Sequence, residues 1–132
     1  MRVVMKILIV EDNFVCRNLL LNMMCRYGEC HVAINGQEAV DAFKDSIDEE
    51  YDLICLDIKM PVKSGMEALK EIREYELRKE LKSFKYVKII MTTILDDDKN
   101  IIGAFKEQCD GYLVKPISSD KVTELLTSLE LI

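Results

Sequence analysis

The segment Met5-Lys6-Ile7-Leu8-Ile9-Val10 is a run of apolar and β-branched residues, too short and too continuous to be the buried stripe of a surface helix. A run of this kind needs apolar cover on both faces, which is the signature of a strand in a parallel sheet. The pattern recurs at Leu53-Ile54-Cys55-Leu56, Val87-Lys88-Ile89-Ile90-Met91 and Tyr112-Leu113-Val114, and Cys30 to Ile34 reads as a second strand nearer an edge. Amphipathic stretches fill the gaps. Val15, Leu19, Leu20, Met23 and Met24 recur at helical spacing behind Asn13, a plausible cap. Asn35-Gly36 is a turn, after which Ala39, Val40, Phe43 and Ile47 mark a second helix. A loop with Pro61 and Gly65 leads to a third, buried through Met66, Leu69 and Ile72, and the charged run from Glu71 to Lys85 reads as its solvated face, its extension and a connector. Asp96, Asp97 and Asp98 favour the positive start of a helix through Ile101, Ile102 and Phe105. Ser118 or Ser119 caps the last helix, with Val122, Leu125, Leu126 and Leu129 inward. Five strands alternating with five helices make βαβ units, and right-handed crossovers give an α/β, doubly wound, three-layer sandwich.

The 132 residues suit one domain, residues 1–132, with no output domain after the last helix. Eighteen basic and 24 acidic residues give a net charge of −6, which argues against nucleic acid or an anionic membrane as a partner. No apolar run approaches the ~20 residues of a spanning helix, and the amino-terminus has no secretory cleavage pattern. The cysteines, Cys16, Cys25, Cys30, Cys55 and Cys109, are odd in number and form no C-x-x-C pair. They read as small buried or half-buried thiols of a cytoplasmic protein, not as a disulfide framework or, with His31, a zinc site. His31, the only histidine, falls on the edge strand, away from the acidic residues considered next.

Doubly wound sheets bind ligands outside the carboxyl ends of their strands. There the sequence puts Glu11 and Asp12 after the first strand, Asp57 after the third, Thr92 and Thr93 after the fourth, and Lys115-Pro116 after the fifth. Each alone is an ordinary cap or turn residue; their conjunction along one rim points to a site. Converging carboxylates repel one another and raise one another's pKa values. A single lysine cannot balance three of them, whereas a divalent hard cation can, and carboxylates with water suit Mg2+. One carboxylate can then attack phosphorus, with Lys115 and the Thr92 hydroxyl holding the phosphoryl oxygens.

The same residues carry a resemblance. Ile7-Leu8-Ile9-Val10-Glu11-Asp12-Asn13, Asp52 to Pro61 with Gly65 following, Ile89-Ile90-Met91-Thr92-Thr93 and Gly111-Tyr112-Leu113-Val114-Lys115-Pro116 together resemble bacterial two-component response-regulator receiver domains, of the flavodoxin-like type that includes the chemotaxis response protein. The resemblance implies a five-stranded sheet in the order 2-1-3-4-5 and a phosphorylation-activated switch that takes its phosphoryl group from a sensor histidine kinase or phosphotransfer protein. It implies Asp57 as phosphoacceptor, and Mg2+ held by Glu11, Asp12, Asp57 and the backbone carbonyl of Lys59. Thr92 and Lys115 become catalytic contacts to the phosphoryl group, Thr93 a backbone contact, Thr92 and Tyr112 the switch, and Lys115-Pro116 a cis peptide. Such a domain catalyses its own phosphorylation and dephosphorylation yet signals rather than turning over substrate, through the fourth helix, fifth strand and fifth helix.

Three departures stand out. Thr93 takes a place usually held by Ala, Gly or Ser, and Lys59 and Ile94 occupy the two positions that tune loss of the phosphoryl group. The stretch from Gly65 to Val87 is also long, implying an extended third helix that offers a partner or homodimer surface. The alternative is an aspartyl-phosphate-forming phosphatase or phosphotransferase for small substrates. Those enzymes usually carry a second Asp where Lys59 stands. A nucleotide module is disfavoured because no glycine-rich phosphate loop follows the first strand.

Overall fold

The computed structural model describes residues 4–46, 50–78, 86–94, 99, 103–104 and 106–132. The strands β1 (Met5–Val10), β2 (Gly28–Ala33), β3 (Leu53–Asp57), β4 (Lys88–Thr93) and β5 (Gly111–Val114) form one parallel sheet in the order β2-β1-β3-β4-β5. Among the described residues the full helices are α1 (Phe14–Met24), α2 (Gly36–Asp45), α3 (Gly65–Arg78) and α4 (Ser119–Ser128), the last being the fifth helix of the sequence reading. Of the expected helix before β5, Gly103 and Ala104 are helical; its acidic start and Ile101, Ile102 and Phe105 lie outside the described residues, as do Ile47 and 79–85.

Period-two alternation sorts the continuous apolar strands between two cores. Ile7, Ile9, Leu53, Cys55 and Ile90 meet Leu20 and Met24 of α1 and Val122 and Leu126 of α4. Leu8, Val10, Ile54, Leu56, Ile89 and Met91 meet Val40 of α2 and Ala68, Leu69 and Ile72 of α3. The sheet is therefore the middle of three layers, with β2 at one edge. Short polar side chains start the helices. Asn13 Oδ1 accepts from the Cys16 amide at 2.9 Å, Asn35 Oδ1 from the Glu38 amide at 2.8 Å and Ser118 Oγ from the Lys121 amide at 3.3 Å.

Three expectations are corrected. Val15, at 71% exposure, and Leu19 lie on the outer face of α1, because only Leu20 and Met24 of its apolar set face the sheet squarely. Cys25 is exposed rather than half-buried. The charged face of the third helix is not uniformly solvated, since Arg73 and Glu76 are buried. Arg73 donates to Glu76 Oε1 at 2.7 Å, to the Val87 carbonyl at 2.8 Å, to Asp110 Oδ2 at 2.9 Å and to the Gln108 carbonyl at 2.9 Å. Glu76 and Asp110 in turn accept the amides of Val87 and Ile89, each at 2.8 Å. This clamp ties the end of α3 to the start of β4 and the approach to β5, where backbone groups would otherwise be left without partners.

Removing the guanidinium would leave the buried Glu76 carboxylate without its cation. Arg73→Met is expected to lower unfolding stability by about 3–5 kcal/mol in urea titration, whereas the exposed Lys70→Met changes it by less than ~0.5 kcal/mol. Equal effects of the two substitutions would show that the clamp is a solvated surface pair.

Candidate functional site

Each strand delivers its polar residue at the point where it leaves the core. The Glu11 amide extends the β1–β2 ladder by donating to the Ala33 carbonyl at 3.1 Å, which turns the Glu11 side chain into the rim at 2% exposure. Asp12, the next residue, is exposed. Asp57 closes β3, pairs in register with Thr92 of β4 and is 6% exposed. The Lys115 amide donates to the Thr93 carbonyl at 2.7 Å, carrying the lysine back over the same rim, and the Lys115–Pro116 peptide is cis.

These residues converge. Glu11, Asp12 and Asp57 each offer a carboxylate oxygen, and the three oxygens lie within 4.8 Å of one another. Lys115 Nζ is 2.6 Å from Glu11 Oε1 and 3.4 Å from Asp57 Oδ1. Thr92 and Thr93 are buried beside them, with Thr93 Oγ1 donating to the Ile94 carbonyl at 3.2 Å. The Lys59 side chain is exposed, and Ile94 is exposed above β4. Tyr112 stands on β5 at 40% exposure, its ring partly in solvent.

Burial, reinforced by the neighbouring Glu11 carboxylate, pushes the Asp57 carboxyl up to about 7 against the pull of Lys115. Burial acts on Glu11 in the same direction. There it is outweighed by hydrogen bonds from Lys115, the Asn13 amide and Asp57, which leave Glu11 below its ordinary range. Burial disfavours the Lys115 ammonium too, yet its two carboxylate neighbours raise it overall. The rim thus gathers three carboxylates against one ammonium, and the crowding shows in the raised Asp57 carboxyl. A small divalent cation relieves it. The donors are all oxygens, two carboxylates are held rigidly by strands, and Asp12 is open to water, a set that suits Mg2+.

Two further groups support the site, Arg17, which sequence reading missed, and Gly65, which it placed in the loop and the motif without a role. Arg17, one turn into α1, donates to the Glu11 carbonyl at 3.0 Å and the Asp12 carbonyl at 3.4 Å, holding the acidic turn from below. Gly65 packs so closely that a Cβ there would sit 1.9 Å from the Asp57 carbonyl oxygen. The glycine belonged to the motif that carries the resemblance, whereas nothing in the sequence flagged the arginine.

Known proteins are similar to this chain in sequence and fold. The model of the response regulator receiver domain matches residues 7–127. The chemotaxis protein CheY of Halobacterium salinarum is 31% identical over 125 residues, covering 94% of this chain and 95% of that one. Hybrid signal transduction histidine kinase G of Dictyostelium discoideum is 40% identical over 116 residues, which are 86% of this chain but 3% of that protein's length. Among solved structures, the co-crystal of the Saccharomyces cerevisiae histidine phosphotransfer protein Ypd1 with the receiver domain of its downstream response regulator Ssk1 matches with 28% identity. That match has a TM-score of 0.83 and covers 99% of this chain and 95% of the other. The order of strands, the acidic rim and these likenesses agree: the chain belongs to the response regulator receiver domain family.

Proposed function

We propose that this receiver domain is a phosphorylation-activated switch, with Asp57 as the phosphoacceptor. Glu11, Asp12, Asp57 and the Lys59 backbone carbonyl would hold Mg2+. The observation that carries the reading is the meeting of three carboxylates with Lys115 at one rim of the sheet. In the transfer step an Asp57 oxygen attacks the phosphorus of a donor phosphohistidine. The phosphorus–nitrogen bond breaks, and the released imidazole takes its proton from solvent. Bound Mg2+ would neutralise the excess carboxylate charge and draw electron density from the phosphoryl oxygens. Lys115, already beside Asp57, offsets the charge that develops, and the Thr92 hydroxyl and Thr93 amide offer hydrogen bonds to the same oxygens.

The phosphoryl group then competes for Thr92. Drawing that hydroxyl towards Asp57 opens space behind it, and Tyr112, half in solvent on the next strand, turns inward. An open groove of about 470 Å3 beside Tyr112, lined also by Val114, Lys121 and Leu125, supports the β5–α4 surface as the one that a downstream protein would read. The donor would approach from the other side of the rim. Phe14 and Val15, which follow Asp12 closely in the chain, and Leu19 further along α1 are exposed, and the likeness to the Ssk1 receiver supports a phosphotransfer protein or kinase as donor. The five free thiols suit a cytoplasmic setting. Among the described residues, no helix is long and apolar enough to cross a membrane.

Incubation with acetyl phosphate and Mg2+ is expected to add one phosphoryl group by intact mass, labile to base, and Asp57→Ala is expected to add none. Equal labelling of Asp57→Ala would eliminate Asp57 as acceptor. Mg2+ at ten times its Kd should stabilise the fold by about 1.4 kcal/mol and raise Tm by about 4–8 °C. An Asp12→Asn variant would show a smaller rise, and a flat melting curve in the native chain counts against the metal site. Thr92→Ala should still take up the phosphoryl group, but the Tyr112 ring resonances that move on phosphorylation of the native chain should stay in place. Full movement in the variant would remove Thr92 from the switch.

A further inference from the structure

The loop between Asp57 and α3 is closed by one bond of its own, from the Lys63 amide to the Pro61 carbonyl at 2.7 Å, and is otherwise tied to its neighbours. Val62 within it has φ of 69°, a left-handed conformation that a β-branched residue adopts only when its surroundings impose it. The Ile58 amide ties the loop's start to the Thr92 carbonyl at 3.1 Å, and the rest of the loop meets the starts of two helices. On one side the Gly65 amide donates to the Ile58 carbonyl at 2.8 Å. On the other, the Gly36 amide, an otherwise unpaired donor at the start of α2, donates to the Lys63 carbonyl at 3.0 Å. Contact there is closed to any side chain, since a Cβ on Gly36 would fall 2.3 Å from the Lys63 oxygen and 2.8 Å from the Ser64 oxygen. The Lys63 ammonium pairs with Glu71 of α3, so the same residue is fixed at its backbone by α2 and at its side chain by α3.

We infer that Gly36 and Lys63 are positioning residues for the metal site: α2, which lends it no functional group, fixes the loop 58–64 through the Gly36–Lys63 contact and thereby the Lys59 carbonyl. The inference rests on the Mg2+ reading of the rim. Any side chain at residue 36 must push Lys63 and Ser64 away, because both obstructing atoms are backbone oxygens. The displacement passes along the few residues back to Lys59 and removes one oxygen from the coordination set, while Glu11, Asp12 and Asp57, carried by β1 and β3, stay where they are. The signature is a weakened metal site on an intact acceptor.

Calorimetric titration with Mg2+ alone tests this, paired with the Mg2+ dependence of acetyl phosphate labelling. Gly36→Ala is expected to raise the Mg2+ Kd about tenfold, the loss of about 1.4 kcal/mol of binding. Its labelling rate should return to that of the native chain at saturating Mg2+, a split that general destabilisation would not produce. Lys63→Met removes only the α3 tether and is expected to move Kd in the same direction by about threefold. It decides the matter if Gly36→Ala does not fold. Variants that bind Mg2+ as tightly as a Mg2+-binding native chain overturn this inference alone. A native chain that binds no Mg2+ overturns the metal reading, and this inference falls with it.

Discussion

The Lys115 ammonium, 2.6 Å from one Glu11 oxygen and 3.4 Å from an Asp57 oxygen, is the contact that lets two carboxylates share a nearly dry rim. Without it, burial would push both carboxyls further towards their protonated forms. With it, Glu11 stays ionised and Asp57 is left poised near neutrality, displaced upward by burial and by its neighbour. The rim is thus left one cation short. On the proposed reading a divalent ion would complete it, and an incoming phosphoryl group, itself anionic, would enter after that completion.

The sheet explains why these groups meet. With the order β2-β1-β3-β4-β5, the chain leaves β1 towards one edge and β3 towards the other, so a crevice opens between their carboxyl ends. Glu11 and Asp57 are the residues at that crevice, and β4 and β5 add Thr92 and Lys115 from the side of Asp57. Rigid strands set the reacting groups, whereas the loop 58–64 must be propped by the starts of α2 and α3. The division is physical. Side chains at strand ends inherit the precision of the ladder, and a backbone ligand in a loop inherits only what neighbouring elements impose.

The fold was legible because the strands are apolar without interruption. Ile7-Leu8-Ile9-Val10 admits no solvent-facing side, and the structure covers both of its faces. The rim was legible for a related reason, since Glu11, Asp57, Thr92 and Lys115 each follow such a run directly. Contacts between residues far apart in the chain were not. Arg73 and Glu76 look like any charged helix face until Asp110 and the Val87 backbone, brought close by β4 and β5, enclose them. Val15 and Leu19 fit a helical stripe as well as Leu20 does, and only the position of α1 on the sheet decides which face is inward. The closeness of Gly36 and Gly65 to backbone oxygens is likewise a property of packed elements.

The central claim is where a divalent ion sits. Substoichiometric Mn2+, a paramagnetic stand-in for Mg2+, added during amide NMR tests it most directly. The account predicts strong broadening at Glu11, Asp12, Asp57 and Lys59, reversed by excess Mg2+, and sharp signals at the far end of the sheet around Lys6, Asp52 and Lys88. Broadening centred on another acidic surface, with Asp57 left sharp, would contradict it.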